Sequence, residues 1–361
     1  MSFRDLGIPA AEATVSVKAY NVTDDTMSSV RVPASIFWRP VLSGRENFTA
    51  PVFAFLIEHA TTGRRVMFDI GMRKDPENGA PHLVEMTKAG FSIPVNKDIT
   101  ERLVEDGVPL DSISSVIWSH AHLDHIGDIS KFPATTDLVV GGATSLKTWQ
   151  ADPKSILSES DVSGRKIVLL KSEDSLEIGG FKAHDFFGDG SLYLLDVPGH
   201  FPGHVCGLAR VTPTTFVLLG GDACHHAGMF RPTTELHRRF PCPGELLSAT
   251  RHSVSKEHFA SPGSSEFDLA ARNTPMFEVI EGGAYADPAA ARDSIAKIGP
   301  FDANEDIFIA MAHDESLVDT IGPYPLVMDS WKEKGWKNQA IWASFDEKNR
   351  AFRYNVKEGQ N

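Results

Sequence analysis

Four side chains that can bind a metal ion fall within six consecutive residues, 120–125. They are His120, His122, Asp124 and His125. Neutral imidazole and carboxylate are ligands that zinc and similar divalent ions prefer. The apolar, β-branched residues 115–118 predict a buried strand, and His120 and His122 would project to one side at its end. A histidine-rich loop without a metal is the alternative, and further ligands at other strand ends would decide between the two.

Three more apolar stretches end in a ligand-type residue, at His200, Asp222 and His313. Sites built from strand ends are typical of layered α/β enzymes, in which rigid strands hold residues on flexible connections. The separations along the chain are too long for a local zinc finger, so the pattern predicts a tertiary site. Seven ligands suit two ions: His120, His122 and His200 for one, Asp124, His125 and His313 for the other, and Asp222 as a bridge.

This order of motifs resembles the metallo-β-lactamase superfamily. The chain has HxHxDH at 120–125, PGHxxGH at 198–204, Gly221-Asp222 after a strand, and a late strand-terminal His313. The resemblance spans residues 50–315 and implies an α/β fold, a four-layer αββα sandwich with its metal site at the strand ends between the two sheets. It also implies a metal-dependent hydrolase with two divalent ions; we expect Zn2+, with Mn2+, Fe2+ or Co2+ as alternatives.

Within that superfamily, the motifs at 198–204, Gly221-Asp222-Ala223 and His313-Asp314 are most similar to the N-acyl homoserine lactonases. That similarity implies a small-molecule lactone or ester substrate, opened by attack of a metal-bridging hydroxide. Those lactonases often carry a tyrosine three residues after the bridging aspartate, whereas this chain has His225. A thioesterase or glyoxalase II-type hydrolase is the alternative function. A binding protein that keeps the fold without turnover is a third hypothesis.

Several residues near these ligands have expected supporting or catalytic roles. Asp124 could pass a proton to the leaving group, and His225 is a second candidate that could equally be a packed loop residue. Asp69 follows an apolar run and is either a turn residue or a carboxylate that supports a ligating histidine; the lactonase resemblance implies the second role. For His204, whose metal site is already full, we expect a structural hydrogen bond.

Other polar residues have no motif support. We expect Cys224 to be a small buried residue and Asp128 to be a helix or loop carboxylate. The remaining histidines are expected on the surface: His226, His237, His252 and His258.

Composition restricts the partners of the protein. The formal net charge of −13 and the pI near 5.5 disfavour a nucleic-acid substrate. The three cysteines do not form a disulfide framework. No signal-like segment occupies residues 1–14, and no apolar run approaches the ~20 residues that span a bilayer. We therefore expect a cytoplasmic protein that does not bind membranes, with a homodimer as one option for its assembly.

We expect one domain over residues 1–361, with a helical and irregular insertion at about 229–300 that could cap the substrate pocket. Residues 73–97 are expected to be rich in loop. Helices are predicted over 98–104, with Asp98 and Glu101 as a capping box, over 126–132, and from Asp287 to Gly299. Strands are predicted at 15–22, 36–41, 51–58, 65–71, 137–142, 166–170, 180–187, 192–197, 205–211, 216–219 and 306–314.

Overall fold

The computed structural model describes residues 2–23, 31–91, 94–171, 176–253 and 269–354. The strands are β1 (Val15–Asn21), β2 (Val32–Pro33), β3 (Trp38–Arg39), β4 (Asn47–Phe48), β5 (Phe53–His59), β6 (Arg65–Phe68), β7 (Ile113–Ile117), β8 (Asp137–Gly141), β9 (Ile167–Leu170), β10 (Leu176–Ile178), β11 (Phe181–Asp185), β12 (Leu192–Asp196), β13 (Val205–Thr212), β14 (Thr215–Leu219), β15 (Glu278–Val279), β16 (Ile307–Ala310) and β17 (Leu326–Val327). The helices are α1 (Pro81–Lys88), α2 (Ile99–Glu105), α3 (Leu123–Ile126), α4 (Glu159–Val162), α5 (Thr234–Arg239), α6 (Gly244–Ser253), α7 (Pro288–Asp302), α8 (Glu315–Ile321) and α9 (Trp336–Ala340).

Two large sheets form the centre of the molecule. The first has seven strands in the order β17-β1-β5-β6-β7-β8-β9, and its strands from β6 to β9 run parallel. The second has six strands in the order β10-β11-β12-β13-β14-β16. Its first five strands form an antiparallel meander, and β16 joins β14 in parallel. Two small strand pairs, β2 with β4 and β3 with β15, lie outside these sheets.

The central strands are apolar on both faces because each sheet is covered on both sides. On β12, Leu192 and Leu194 belong to the cluster between the sheets, whereas Tyr193 and Leu195 belong to the cluster on the other face. The sheets approach closely, since a Cβ placed on Gly207 of β13 would lie 3.2 Å from the ring of Phe68 on β6. The buried layer between the sheets therefore sets the relative position of their strand ends.

Helices cover the outer faces. Helix α2 begins at the predicted capping box, in which Asp98 accepts from the backbone of Glu101 and Glu101 accepts from the backbone of Asp98. Asp106, which directly follows the helix as its C-cap, accepts a hydrogen bond from Tyr20 of β1 and so places the helix against the first sheet. Helix α7 packs on the second sheet, where its Phe301 ring lies 6.1 Å from that of Phe181.

Residues 73–97 are mostly loop, as expected, but they also contain α1, which begins with proline at its first helical position, where the missing N–H costs nothing. Three local predictions were wrong. Only two residues of the predicted strand 36–41 form β3. The predicted helix 126–132 is divided at Gly127, whose positive φ of 46° brings it against the carbonyl of Ile70. Helix α7 passes Gly299 and ends at Asp302, which is held by a buried ion pair with Arg231.

The predicted insertion, residues 229–300, contains α5, α6, β15 and most of α7 in its described parts. No helix in the described ranges is long and apolar enough to cross a bilayer.

Candidate metal centre

The ends of four strands bring the seven candidate ligands together. Strand β7 leads into residues 119–125, and β12 leads into the loop that carries His200. Strands β14 and β16 lead to Asp222 and His313. Two backbone hydrogen bonds join these connections: Val205 N donates to Ser119 O at 2.8 Å, and Ala312 N donates to Gly221 O at 3.0 Å. The site is therefore held by backbone on both sheets.

One group of side chains consists of His120, His122 and His200. The Nε2 atoms of His120 and His200 lie 2.9 and 3.0 Å from Nδ1 of His122. Burial holds the pKa of His122 at about 3 and that of His200 at about 4, and it lowers the pKa of His120 well below its usual value. All three rings are thus neutral, so each can offer a nitrogen lone pair to a cation.

The second group consists of Asp124, His125 and His313. Nε2 of His313 lies 3.3 Å from Asp124 Oδ2, and Nε2 of His125 lies 3.8 Å from Asp124 Oδ1. Burial alone would lower the pKa of His313, but the carboxylates of Asp222 and Asp124 outweigh burial and raise it to about 10. These carboxylates therefore favour positive charge at this point, which a divalent ion would supply.

Asp222 lies between the two groups and directs one oxygen to each. Its Oδ2 lies 3.3 Å from Nε2 of His200 and 3.7 Å from Nε2 of His120. Its Oδ1 lies 3.1 Å from Nε2 of both His125 and His313. This is the arrangement expected of a carboxylate that bridges two ions.

Two buried atoms at the centre test whether a metal fits. Nε2 of His125 and Oδ1 of Asp222 lie 3.1 Å apart, yet neither has a hydrogen-bond partner among the described residues. Nδ1 of His125 donates to Asp69 at 2.8 Å, which leaves Nε2 directed at Asp222. Burial alone would lower the pKa of His125, but the carboxylates of Asp222 and Asp69 outweigh burial and raise it well above its usual value. The buried carboxylates thus favour a positive charge at Nε2, where either a proton or a divalent ion can supply it, and the residues present fit a metal ion.

Hydrogen bonds to backbone groups outside the centre orient the candidate ligands. His313 donates from Nδ1 to Pro51 O at 2.7 Å, which directs its Nε2 to the centre. His204 donates from Nδ1 to Val197 O at 3.1 Å and accepts at Nε2 from the backbone N–H of Asp222 at 2.9 Å. His204 thus holds the backbone of Asp222. Both of its ring nitrogens are hydrogen-bonded, so neither is available to a metal ion.

Asp69 combines the two roles that its sequence position left open. It lies in a turn after β6 with a φ of 57°, a positive value that no other non-glycine in the described residues adopts. Its Oδ1 accepts from the backbone of Ser119 at 2.6 Å, and its Oδ2 accepts from His125. The turn conformation directs the carboxylate at the start of the residue 119–125 segment.

His225 is fully buried beside the cluster. Its Nε2 lies 3.0 Å from Asp222 Oδ2, and its Nδ1 lies 2.9 Å from the hydroxyl of Tyr285. The ring of Phe37 stacks on it with a centroid separation of 3.7 Å. Tyr285 and Phe37 could not be predicted from the sequence, because neither belongs to a motif and both are far from His225 along the chain.

Asp124 is the carboxylate that solvent reaches. Its side chain is 20% exposed, whereas those of Asp222 and His313 are 4% exposed. The Phe201 ring lies beside His122, with a centroid separation of 4.2 Å. Among the seven candidate ligands, Asp124 and His122 are the half-buried ones, and the other five are buried.

The residues outside the motifs divide into buried and exposed positions. His226 is buried and donates to Ala351 O, so its predicted surface position was wrong. His237 is half-buried against Trp342, and His252 is exposed as expected. Cys224 is buried, as predicted. Asp128 caps a short turn and pairs with Arg73, as expected of a loop carboxylate. His258 lies outside the described residues.

Comparison with known proteins agrees with this geometry. A family model described as the metallo-beta-lactamase superfamily matches residues 49–228. The metallo-hydrolase mfmC of Annulohypoxylon moriforme is 40% identical over 346 residues, which cover 93% of this chain and 88% of that protein. The chain belongs to the metallo-β-lactamase superfamily. The predicted family, its α/β sandwich fold and the assignment as a hydrolase are thereby confirmed.

Two further proteins are similar to this chain. The gamma-lactamase FDB1 of Fusarium pseudograminearum is 38% identical over 351 residues, which cover 93% of this chain and 83% of that protein. The N-acyl homoserine lactonase AttM of Agrobacterium fabrum is 32% identical over 116 residues, which cover 31% of this chain and 42% of that protein.

Proposed function

We propose that this protein is a dinuclear metal-dependent hydrolase that opens a lactone. The observation that carries the proposal is the position of Asp222, whose two oxygens face two separate groups of three side chains. His120, His122 and His200 would hold one ion, and Asp124, His125 and His313 would hold the other. Histidine nitrogens with carboxylate oxygens suit zinc, and we propose Zn2+ as the metal.

Two such ions, when bound, would lower the pKa of a water molecule and polarise the acyl oxygen of the substrate. The chain itself contributes the proton transfer. Asp124 is the carboxylate of the cluster that is exposed to an incoming substrate, so it would carry the proton to the leaving oxygen. His225, the second candidate for that step, has both nitrogens engaged by Tyr285 and Asp222. This pairing favours Asp124 over His225 as the residue that carries the proton.

The insertion would shape the substrate pocket. Tyr285, which follows β15, lies with its ring 5.3 Å from that of His200, so this segment reaches the centre itself. Phe37 and Phe201 add apolar surface on either side of the histidines. We therefore propose that residues 229–300 cap the site and contribute to substrate choice.

A γ-lactam is the second candidate substrate. It is favoured by the similarity to a protein named gamma-lactamase over 93% of this chain, whereas the similarity to the lactonase AttM covers 31%. Lactone and lactam opening use the same attack on a cyclic acyl carbon and differ in the leaving atom, oxygen or nitrogen. A thioester remains the alternative outside cyclic substrates, because the same metals would serve it.

A substrate panel tests the proposal. The zinc-loaded protein is incubated with γ-lactones of different tail length, with γ-lactams, and with acyl and glutathione thioesters. Ring opening is followed by mass spectrometry and thiol release by a colorimetric reagent. We expect ring opening of lactones that is absent from His122→Ala protein prepared in parallel. Opening of lactams alone would favour the second candidate, and thiol release without ring opening would overturn the proposal.

A further inference from the structure

His225 lies between a phenol and a carboxylate, which determines where its proton sits. Its Nε2 is 3.0 Å from Asp222 Oδ2, and its Nδ1 is 2.9 Å from the Tyr285 hydroxyl. An ionised carboxylate only accepts hydrogen bonds, so Nε2 must carry the proton. Nδ1 of the neutral ring is then an acceptor, and the Tyr285 hydroxyl donates to it. The three side chains form one chain of hydrogen bonds that ends on Asp222.

Backbone contacts on two sides place Tyr285 at the end of this chain. Ala284 N donates to Ile36 O at 2.7 Å, next to the Phe37 ring that stacks on His225. On the other side, Ala286 N donates to the carbonyl of His200 at 2.9 Å. Tyr285 is therefore fixed between the loop that covers His225 and the loop that carries a candidate ligand.

The close approach of α7 reinforces this placement. Asp287 N donates to Gly199 O at 2.9 Å, and Ser294 Oγ donates to Pro198 O at 2.6 Å. A Cβ on Gly199 would lie 2.2 Å from Ala291 N, so the helix and the loop touch at backbone distance. The segment that carries Tyr285 is thus joined to the His200 loop by hydrogen bonds and by close packing.

The hydrogen bond from His225 restricts the orientation of the Asp222 carboxylate, which must direct one oxygen to each group of candidate ligands. Oδ2 of Asp222 faces His120 and His200, while Oδ1 faces His125 and His313. Rotation of this carboxylate about its Cβ–Cγ bond would take both oxygens away from their groups. The donor at Oδ2 opposes that rotation, and its own direction depends on the position of the His225 ring.

We propose that Tyr285 is a positioning residue of the metal centre, which acts through His225 to orient the bridging carboxylate of Asp222. This inference rests on the proposed dinuclear centre. Partners that orient the ligands of a metal site change metal affinity by about 10- to 100-fold when they are removed. The tyrosine hydroxyl lies two hydrogen bonds from Asp222, so we expect the lower end of that range.

The test compares wild-type protein with Tyr285→Phe and with Tyr193→Phe. Tyr193 is the matched control because it is also a buried phenol, on β12, and it is hydrogen-bonded to Arg210 outside the cluster. Zinc affinity is measured by competition with a chromophoric chelator. The nitrogens of His225 are observed by NMR of the 15N-histidine-labelled, zinc-loaded protein, with the signals assigned from a His225→Gln variant.

We expect a protonated Nε2 and a hydrogen-bonded, unprotonated Nδ1 for His225 in wild-type protein. Tyr285→Phe should weaken zinc binding about tenfold and move the Nδ1 signal to that of a nitrogen without a hydrogen bond. Tyr193→Phe should change neither quantity. An unprotonated, zinc-bound Nε2 of His225 would overturn the inference, and so would unchanged zinc affinity in Tyr285→Phe. If wild-type protein bound no zinc, the proposed centre itself would fall.

Discussion

The carboxylate of Asp69 accepts a hydrogen bond from Nδ1 of His125 at 2.8 Å, and its other oxygen accepts from the backbone of Ser119 at 2.6 Å. One side chain thus fixes both the start of the segment that carries four candidate ligands and the ring orientation of one of them. The positive φ of Asp69 shows that the backbone adopts an unfavourable conformation to achieve this.

Asp69→Asn should weaken zinc binding by about 10- to 100-fold, because an amide polarises the ring of His125 less than a carboxylate does. Chelator competition measures the change. Asp75→Asn is the control, since Asp75 lies on the same loop region but contacts Arg73 and Asn78 instead of a candidate ligand. Equal zinc affinities for the two variants would contradict the role assigned to Asp69.

His122→Ala should lower ring-opening activity by more than about 100-fold and reduce the bound zinc, because the loss of one ligand removes several kcal/mol of charge stabilisation. Activity and metal content are measured on the same preparation, and circular dichroism confirms the fold. His252→Ala, at an exposed position on α6, is the matched control and should behave as wild type. Near-normal turnover in His122→Ala would show that the metal ligands are misassigned.

Gly199→Ala should destabilise the protein more than Gly188→Ala. Both glycines have positive φ, so both substitutions carry backbone strain, but a Cβ at Gly199 would clash with Ala291 while a Cβ at Gly188 meets open space. We expect a difference of roughly 1–3 kcal/mol in the free energy of unfolding, measured by denaturant titration. Equal losses would mean that strain, and not the contact between α7 and the loop, dominates at Gly199.

The pH dependence of stability should contain a contribution from Asp161. Burial raises the pKa of this carboxyl to about 6, although the backbone of Ser158 donates to it. Because the folded pKa exceeds the unfolded one, the contribution is fully present below pH ~4 and is lost as pH rises towards ~6. The full loss is about 3 kcal/mol at most, at 1.36 kcal/mol per pKa unit.

Asp161→Asn should remove this dependence, since the amide keeps an oxygen for Ser158 but does not ionise. Denaturant unfolding of both proteins between pH 4 and pH 7 measures the effect. We expect the variant to gain stability relative to wild type as pH rises. A constant difference across that range would contradict the assignment.

Much of the centre could be predicted from the sequence because its residues fall at strand ends within recognisable spacings. Apolar runs indicate the strands. The strand order then determines the relative positions of four candidate ligands: His120, His200, Asp222 and His313. The roles of these residues as ligands remain predictions. The sequence therefore predicted well the polar side chains that lie directly after regular strands.

The surroundings of the centre could not be predicted in the same way. Tyr285 reaches His225 through two backbone contacts that link the insertion to separate loops, and no local pattern records such contacts. His226 has no motif and is nevertheless buried, because its ring satisfies the carbonyl of Ala351 near the other end of the chain. Helix α1 was not predicted because a proline and a glycine precede it, and these residues usually indicate a loop.

The candidate ligands are divided between the two sheets: four follow β7 of the first sheet, while His200, Asp222 and His313 follow strands of the second. During synthesis, the last of them leaves the ribosome only after most of the chain has emerged. The proposed pair of binding sites would therefore be complete only when both sheets have docked. Metal binding would be a late step in the folding of this protein, and two bound ions would link its two sheets.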